Sequence, residues 1–209
     1  MQTSRRTTSS RAATLGSTVA LLLLLATPGP AQDPAAGMFL VATGEVRGGL
    51  FDETVVLLLH YGNDGALGLV VNRPMQAEAT EVLPDLEGME HYRGSLYWGG
   101  PVQIASLRAL LRTDSPPAGA VKVLEEVYLV APGGPLPAGV NDPGELRYFL
   151  GYAGWGPGQL DGELVHGSWH LVEASSEAVF DADAASIWRR LTPPEAIRVA
   201  LPRKSAAVD

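Results

Sequence analysis

Three features of this chain have residue types and spacing that could do chemistry: His166 and His170, the glycine-rich run "FLGYAGWGPGQLDGEL" over 149–164, and the strand end Asn72-Arg73-Pro74. Two histidines four apart suit zinc when both lie on one helix face, and Asp161 and Glu163 would add oxygen ligands. Gly167-Ser168 between them ends the helix before His170 is reached, so capping or surface roles are expected and no metal site is assigned. His60 and His91 are isolated and read as structural or surface residues.

The glycine run places Gly151, Gly154, Gly156 and Gly158 between an apolar segment and the start of a helix, as a phosphate-cradling turn would. A cradle also wants free N–H groups and a nearby cation. Pro157 removes one N–H, the run has no Lys or Arg, and Asp161 and Glu163 add negative charge. Its spacing is G-x-x-G-x-G-x-G, where a dinucleotide fold carries G-x-G-x-x-G. The run is therefore read as an elbow, in which the glycines permit unusual backbone angles and close strand–helix approach, with Trp155 packed beside them.

Ser95 and Ser168 each follow a glycine, but neither lies in G-x-S-x-G. Glu125-Glu126 point to opposite faces if they sit on a strand, which disfavours an acid–base dyad. No catalytic constellation emerges, and the expectation is a non-enzymatic protein without a cofactor. A binding role remains. Asn72 and Arg73 put an amide and a cation at a strand end closed by Pro74, and Tyr97-Trp98 puts aromatics beside the turn Gly99-Gly100-Pro101. If these loops converge with Gln159, they form a groove with polar edges and an aromatic floor for an unidentified protein or small-molecule partner. The competing reading is architectural: Arg73 pairs with a carboxylate, Trp98 fills the core and the glycines make turns.

The elements that must position these residues are mostly strands. Met38–Ala42 opens the globular part. "TVVLLLH" over 54–60 is apolar without alternation, which predicts a strand covered on both faces. Tyr61-Gly62-Asn63-Asp64-Gly65 then supplies a hairpin turn into a strand over 66–71. A short helix is expected over 77–83, and strands over 95–98, 107–111, 121–130, 147–152 and 169–172. A loop is expected over 131–144. Helices are predicted over 158–166, with Pro157 in the first turn and Gly167 at the cap, and over 183–191, capped by Asp181 or Asp183. Strands adjacent in sequence with few short helices point to a single α+β domain.

Residues 1–31 read as a signal peptide or N-terminal membrane segment: Arg5, Arg6 and Arg11 precede an apolar heart over 19–26, and small and helix-breaking residues follow up to Ala31. The apolar heart falls short of the roughly 20 residues a spanning helix needs, which favours a cleaved signal and export to the periplasm or envelope. Membrane contact is expected only through 1–31, if uncleaved. Residues 32–37 form a linker, 38–191 the domain and 192–209 a tail. The chain has no cysteine, so it holds together without disulfides. Of its 15 basic residues three precede Gln32, as does none of its 23 acids, so 32–209 carries a net charge of −11. Such a surface disfavours direct nucleic-acid binding, which rests on neutralising phosphates.

"ALGLVVNRP" at 66–74, "YWGGPV" at 97–102 and "FLGYAGWGPGQLDGEL" at 149–164, in that order, resemble the YqgE/AlgH family of bacterial proteins, over about Met38 to Val172. The resemblance implies a single α+β domain built on a curved, barrel-like, mostly antiparallel sheet flanked by short helices. Members are often labelled transcriptional regulators and taken to be cytoplasmic, and no catalytic residues are agreed for the family. The chain departs from that pattern in its export signal, and in carrying a Pro/Gly loop around 133–143 where the family has a helix.

Overall fold

Nine strands form one strongly curved sheet in the computed structural model, which describes residues 33–46, 48–133 and 142–193. In chain order they are β1 (Met38–Ala42), β2 (Val55–Gly62), β3 (Gly65–Val70), β4 (Leu96–Trp98), β5 (Val102–Arg112), β6 (Val121–Leu124), β7 (Val127–Val130), β8 (Leu146–Trp155) and β9 (Trp169–Glu173). The order across the sheet is β6-β7-β5-β8-β3-β2-β1-β9, with β4 lying parallel to β8 off this path. Every other pairing is antiparallel. The helices are short: α1 (Ala79–Val82), α2 (Gln159–Val165), α3 (Ser176–Val179) and α4 (Ile187–Leu191), with single 3₁₀ turns at Gly44–Val46, Met89–His91 and Ala184–Ser186. This is the α+β architecture that strand-after-strand patterning predicts, and no described helix is long and apolar enough to cross a membrane.

The sheet is buried on both faces at its centre, and the alternation of β-strand side chains sorts them. Phe39, Val41, Val55, Leu57, Leu69 and Tyr97 belong to one core cluster. Their immediate neighbours Leu40, Ala42, Val56, Leu58 and Val70 belong to another, which takes in Trp155, Leu160 and Trp169. A third cluster around Met89, Tyr92, Leu96, Leu111 and Tyr148 packs along the first half of β8. Double-sided burial is why "VVLL" shows no alternation, and β2 loses that cover beyond Leu58.

Glycines matter where β8 is crossed. The link from β4 to β5 passes so close to β8 that a Cβ on Gly100 would lie 2.2 Å from the carbonyl carbon of Tyr152, and one on Gly151 would lie 2.3 Å from the oxygen of Gly100. Both have positive φ, +148° and +71°.

Several boundaries differ from the sequence reading. The segment 121–130 is not one strand but the hairpin β6–β7, which turns at Glu125-Glu126 with Glu126 at φ 60°. The two carboxylates are thus exposed turn residues, not opposite faces of a strand. β5 starts at Val102, five residues before the expected 107, because an irregularity between Val102 and Leu107 interrupts its apolar pattern. The helix expected over 183–191 is a 3₁₀ turn followed by α4, and α3 precedes it unforeseen, capped by the Ser175 hydroxyl accepting from the Ala178 N–H at 3.2 Å. Asp183 sits at the N-cap of that 3₁₀ turn without a side-chain bond, while Asp181 Oδ1 accepts from the Asp183 N–H at 2.8 Å. Residues 1–32, most of the 131–144 loop and the tail beyond 193 lie outside the described residues.

Buried Arg147, on β8, ties the sheet to the C-terminal helices. Its Nη1 donates to the Val179 carbonyl at 2.9 Å and its Nη2 to that of Asp181 at 2.5 Å, where α3 ends and carbonyls lack helical partners. Its guanidinium stacks 4.7 Å from the Tyr97 ring centre and 5.7 Å from that of Phe180. Burial pulls its pKa below the usual arginine value and raises that of Tyr97.

Candidate functional site

The segment between β1 and β2 is built around two side chains from the end of β3. Asn72, only 6% exposed, accepts from the Val55 N–H at 2.8 Å through Oδ1 and donates to the Glu53 carbonyl at 2.9 Å through Nδ2. Arg73 spreads its guanidinium across the same loop, donating from Nη1 to Leu50 O at 2.6 Å and from Nη2 to Asp52 O at 2.5 Å. Burial lowers its pKa despite the opposing influence of Asp52 and Glu53. The Asp52 carboxylate accepts from the Gly48 N–H at 3.2 Å. The loop is therefore fixed at several points although it lies outside the sheet ladder.

That fixing seats Phe51 among three tryptophans. Its ring is stacked at 25° and 6.4 Å on Trp155, edge-on at 75° and 5.7 Å to Trp169, and tilted at 49° and 6.1 Å to Trp98. Arg73 covers Trp98 at 5.3 Å, which completes a cation–π stack at one end of the cluster. At the other end the Glu163 carboxylate, on α2, gathers both remaining indoles: its Oε2 accepts from Trp155 Nε1 at 2.8 Å and from Trp169 Nε1 at 2.7 Å. Its Oε1 accepts from Gln159 Nε2 at 3.0 Å, and Gln159 Oε1 accepts from the Gly156 N–H at 3.1 Å.

The expected binding residues thus divide. Arg73, Trp98 and Gln159 are joined in one chain of contacts, running from Arg73 through Trp98, Phe51, Trp155 and Glu163 to Gln159. Tyr97 is not part of it: on a strand it points opposite to Trp98, into the core against Phe149 and Arg147. Asn72 is spent on the backbone of the loop. Gly99 and Gly100 are buried beneath the crossing of β8, where a Cβ on Gly99 would lie 2.4 Å from Gly151 O. Pro101 follows them, and Pro74 forms a single bridge to Tyr97. Arg73 contacts carbonyls, where the architectural reading had a carboxylate.

The glycine elbow is shorter than its sequence suggests. β8 continues through Gly151 and Gly154 to Trp155, and only Gly156-Pro157-Gly158 makes the corner. Gly158, at φ 71°, is the N-cap of α2, so Pro157 precedes the helix and is not in its first turn. α2 ends at Val165, His166 caps it with Nδ1 2.6 Å from Gly162 O, and His170 belongs to β9. Asp161 accepts from the Tyr61 hydroxyl at 2.5 Å, which raises the tyrosine pKa.

Sequence reasoning missed Phe51, Glu163 as an indole acceptor, and Trp169. The signal for Phe51 was an aromatic in "GGLFDET", a polar, glycine-bearing stretch where no core residue is needed. A surface depression lined by Asp33, Gly37, Met38 and Glu173 shares no residue with this cluster.

The profile of the AlgH-like family matches residues 39–197. A UPF0301 protein of Streptomyces avermitilis is 35% identical over 161 residues, covering 74% of this chain and 83% of its own length. One from Chlorobium limicola is 32% identical over 158 residues, with the same coverage of 74% and 83%. The crystal structure of a protein from Corynebacterium diphtheriae superposes with a TM-score of 0.65 at 22% identity, over 79% of this chain and 92% of that one. The solution structure of the AlgH protein from Pseudomonas aeruginosa gives 0.57 at 27%, over 80% and 94%. With most of its length matched by the profile and by relatives of this kind, the chain belongs to the AlgH-like family.

Proposed function

We propose that this protein is a non-enzymatic binding module whose contact surface is the loop before β2 and the tryptophan cluster beneath it. The observation that carries the reading is Leu50: 63% exposed, it projects from a loop whose neighbouring carbonyls are clamped by Arg73 and whose end is clamped by Asn72. An apolar side chain held out on a rigid support binds without a large ordering cost, which is how preorganised contact loops gain affinity. The acidic surrounding of Asp52 and Glu53 and the net charge of −11 favour a basic rim on the partner and weigh against direct DNA contact.

The test is retention of partners from a cell extract by the immobilised full-length chain and its variants. Leu50→Asp is expected to reduce retention of any specific partner about tenfold or more, since a charge in an apolar contact is costly. Val165→Asp, at an 86% exposed position on α2, is the control and is expected to retain it. Equal retention by all three would defeat the proposal.

Export belongs to the same proposal, supported by the basic residues and apolar run of 1–31. Amino-terminal sequencing of protein from separated cell fractions is expected to give a start near Gln32 in the envelope or periplasmic fraction. An intact Met1 start in the cytoplasm would contradict it and return a chromosomal role to consideration.

A further inference from the structure

The two ends of the strand order differ in how they are protected. β6 is blunted: it carries Lys122, its register with β7 shifts between Lys122 and Leu124, and it lies against the entry to β1, where a Cβ on Gly37 would sit 2.7 Å from Val123 O. β9 has none of these devices. Its sequence Trp-His-Leu-Val-Glu holds no Lys, Arg or Pro, and it pairs with β1 in continuous register from Trp169 to Glu173. The bonds at the two ends of that ladder fix which backbone groups point where. The Thr43 N–H donates to Ser168 O at 3.0 Å and the Ala174 N–H to Gly37 O at 3.3 Å, so on the alternation of an antiparallel pair the even-numbered residues over 168–174 face β1. The N–H and C=O groups of Trp169, Leu171 and Glu173 face the other way, and among the described residues nothing bonds to them.

We propose that this edge of β9 is a docking site for an extended segment of a partner protein that carries Lys or Arg at its amino-terminal end. Three N–H and three C=O groups in alternation are what an added antiparallel strand bonds to. Half-buried Leu171 and Val172, which belong to different core clusters, offer it an apolar neighbour on each face of the sheet. Charge selects the occupant. Two surface depressions meet at Ala174, just past the strand: Asp33 and Glu173 line one, and Glu125, Glu126 and Glu177 the other. All five carboxylates are exposed, and no Lys or Arg lines either depression. In the antiparallel orientation, which all but one pairing of this sheet uses, the amino-terminal end of the incoming strand passes Glu173 and enters that negative field. A second copy fits poorly, since pairing β9 with β9 brings together two bodies that each carry −11 over 32–209. Of the residues named for the Leu50 surface only Trp169 recurs, by its backbone here and by its indole there, so the two sites stand or fail separately.

The test uses the full-length chain and the peptide acetyl-Lys-Arg-Val-Thr-Val-Thr-Val-amide, followed by amide hydrogen exchange read by NMR. In the free protein the amides of His170 and Val172, which face β1, are expected to exchange slowly and those of Trp169, Leu171 and Glu173 fast. Saturating peptide is expected to slow those three about tenfold or more. The peptide with Glu-Glu in place of Lys-Arg is expected to bind about tenfold more weakly, as is the Lys-Arg peptide to Glu173→Lys. The peptide N-methylated at every valine and threonine is expected not to bind, since it lacks the donors a ladder needs. Leu171→Pro is expected to abolish binding, because it removes an outward N–H and leaves the ladder to β1 intact. Should that variant fail to fold, the exchange pattern in the wild type decides. Peptide binding that leaves the three amides unprotected, or no binding at all, overturns the proposal, and equal binding by the Glu-Glu peptide overturns the choice of a basic partner. Slow exchange of all three amides before peptide is added also overturns it, since another part of this chain or a second copy would then already cover the edge.

Discussion

Replacing Arg147 by alanine is expected to cost about 2–5 kcal/mol of folding stability, the range for truncating a large buried side chain. Three losses combine. The carbonyls of Val179 and Asp181 lose donors, the first of them out of reach of water, since Arg147 is 2% exposed and Val179 fully buried. The rings of Tyr97 and Phe180 lose the planar cation lying between them. A cavity of side-chain size opens between β8 and α3. Lysine restores charge but not the fork, and Arg147→Lys is expected to recover only part of the loss, because one ammonium does not reproduce two diverging donors and a stacking plane. Urea denaturation by circular dichroism measures both. An alanine variant within about 1 kcal/mol of wild type would show that the C-terminal helices dock without this residue.

Gly100→Ala is expected to be at least as damaging, with a loss above about 4 kcal/mol or failure to accumulate as soluble protein. The added methyl carbon would sit 2.2 Å, 2.3 Å and 2.4 Å from the Tyr152 carbonyl carbon, its oxygen and the Ala153 nitrogen. All three are backbone atoms in the middle of β8, so no side-chain rotation relieves them. The φ of +148° is in addition a conformation that alanine avoids. Gly158→Ala provides the contrast. Nothing lies within 4 Å of its added carbon, so only the positive φ of +71° opposes it, and the expected cost is about 1 kcal/mol. A thermal melt of the two variants that shows equal losses would mean that the crossing at β8 relaxes more readily than its spacing implies.

What the amino-acid order disclosed follows from how local each interaction is. The β2–β3 hairpin was legible because its strands are apolar and turn residues join them, with Gly65 taking the positive φ of 119°, and all of that information lies within sixteen residues of chain, 55–70. The β6–β7 turn was not, since Glu125-Glu126 carries no Gly, Asn or Pro to mark it. At the candidate site, Arg73, Trp98 and Gln159 could be named from their types and their placement beside turns. Tyr97 was grouped with Trp98 by adjacency, although adjacency on a strand separates side chains. The role of Phe51 and Glu163 depends on bringing residues 51, 98, 155, 163 and 169 together, and no local pattern encodes that meeting.

The sheet order also bears on when the chain can fold. β1 is flanked by β2, close in sequence, and by β9, whose partner residues Trp169–Glu173 lie near the far end of the domain. The same holds for β3, which waits for the last residues of β8. A ribosome must therefore deliver almost the whole domain before either strand has both neighbours, and closure of such distant pairs is intrinsically slow.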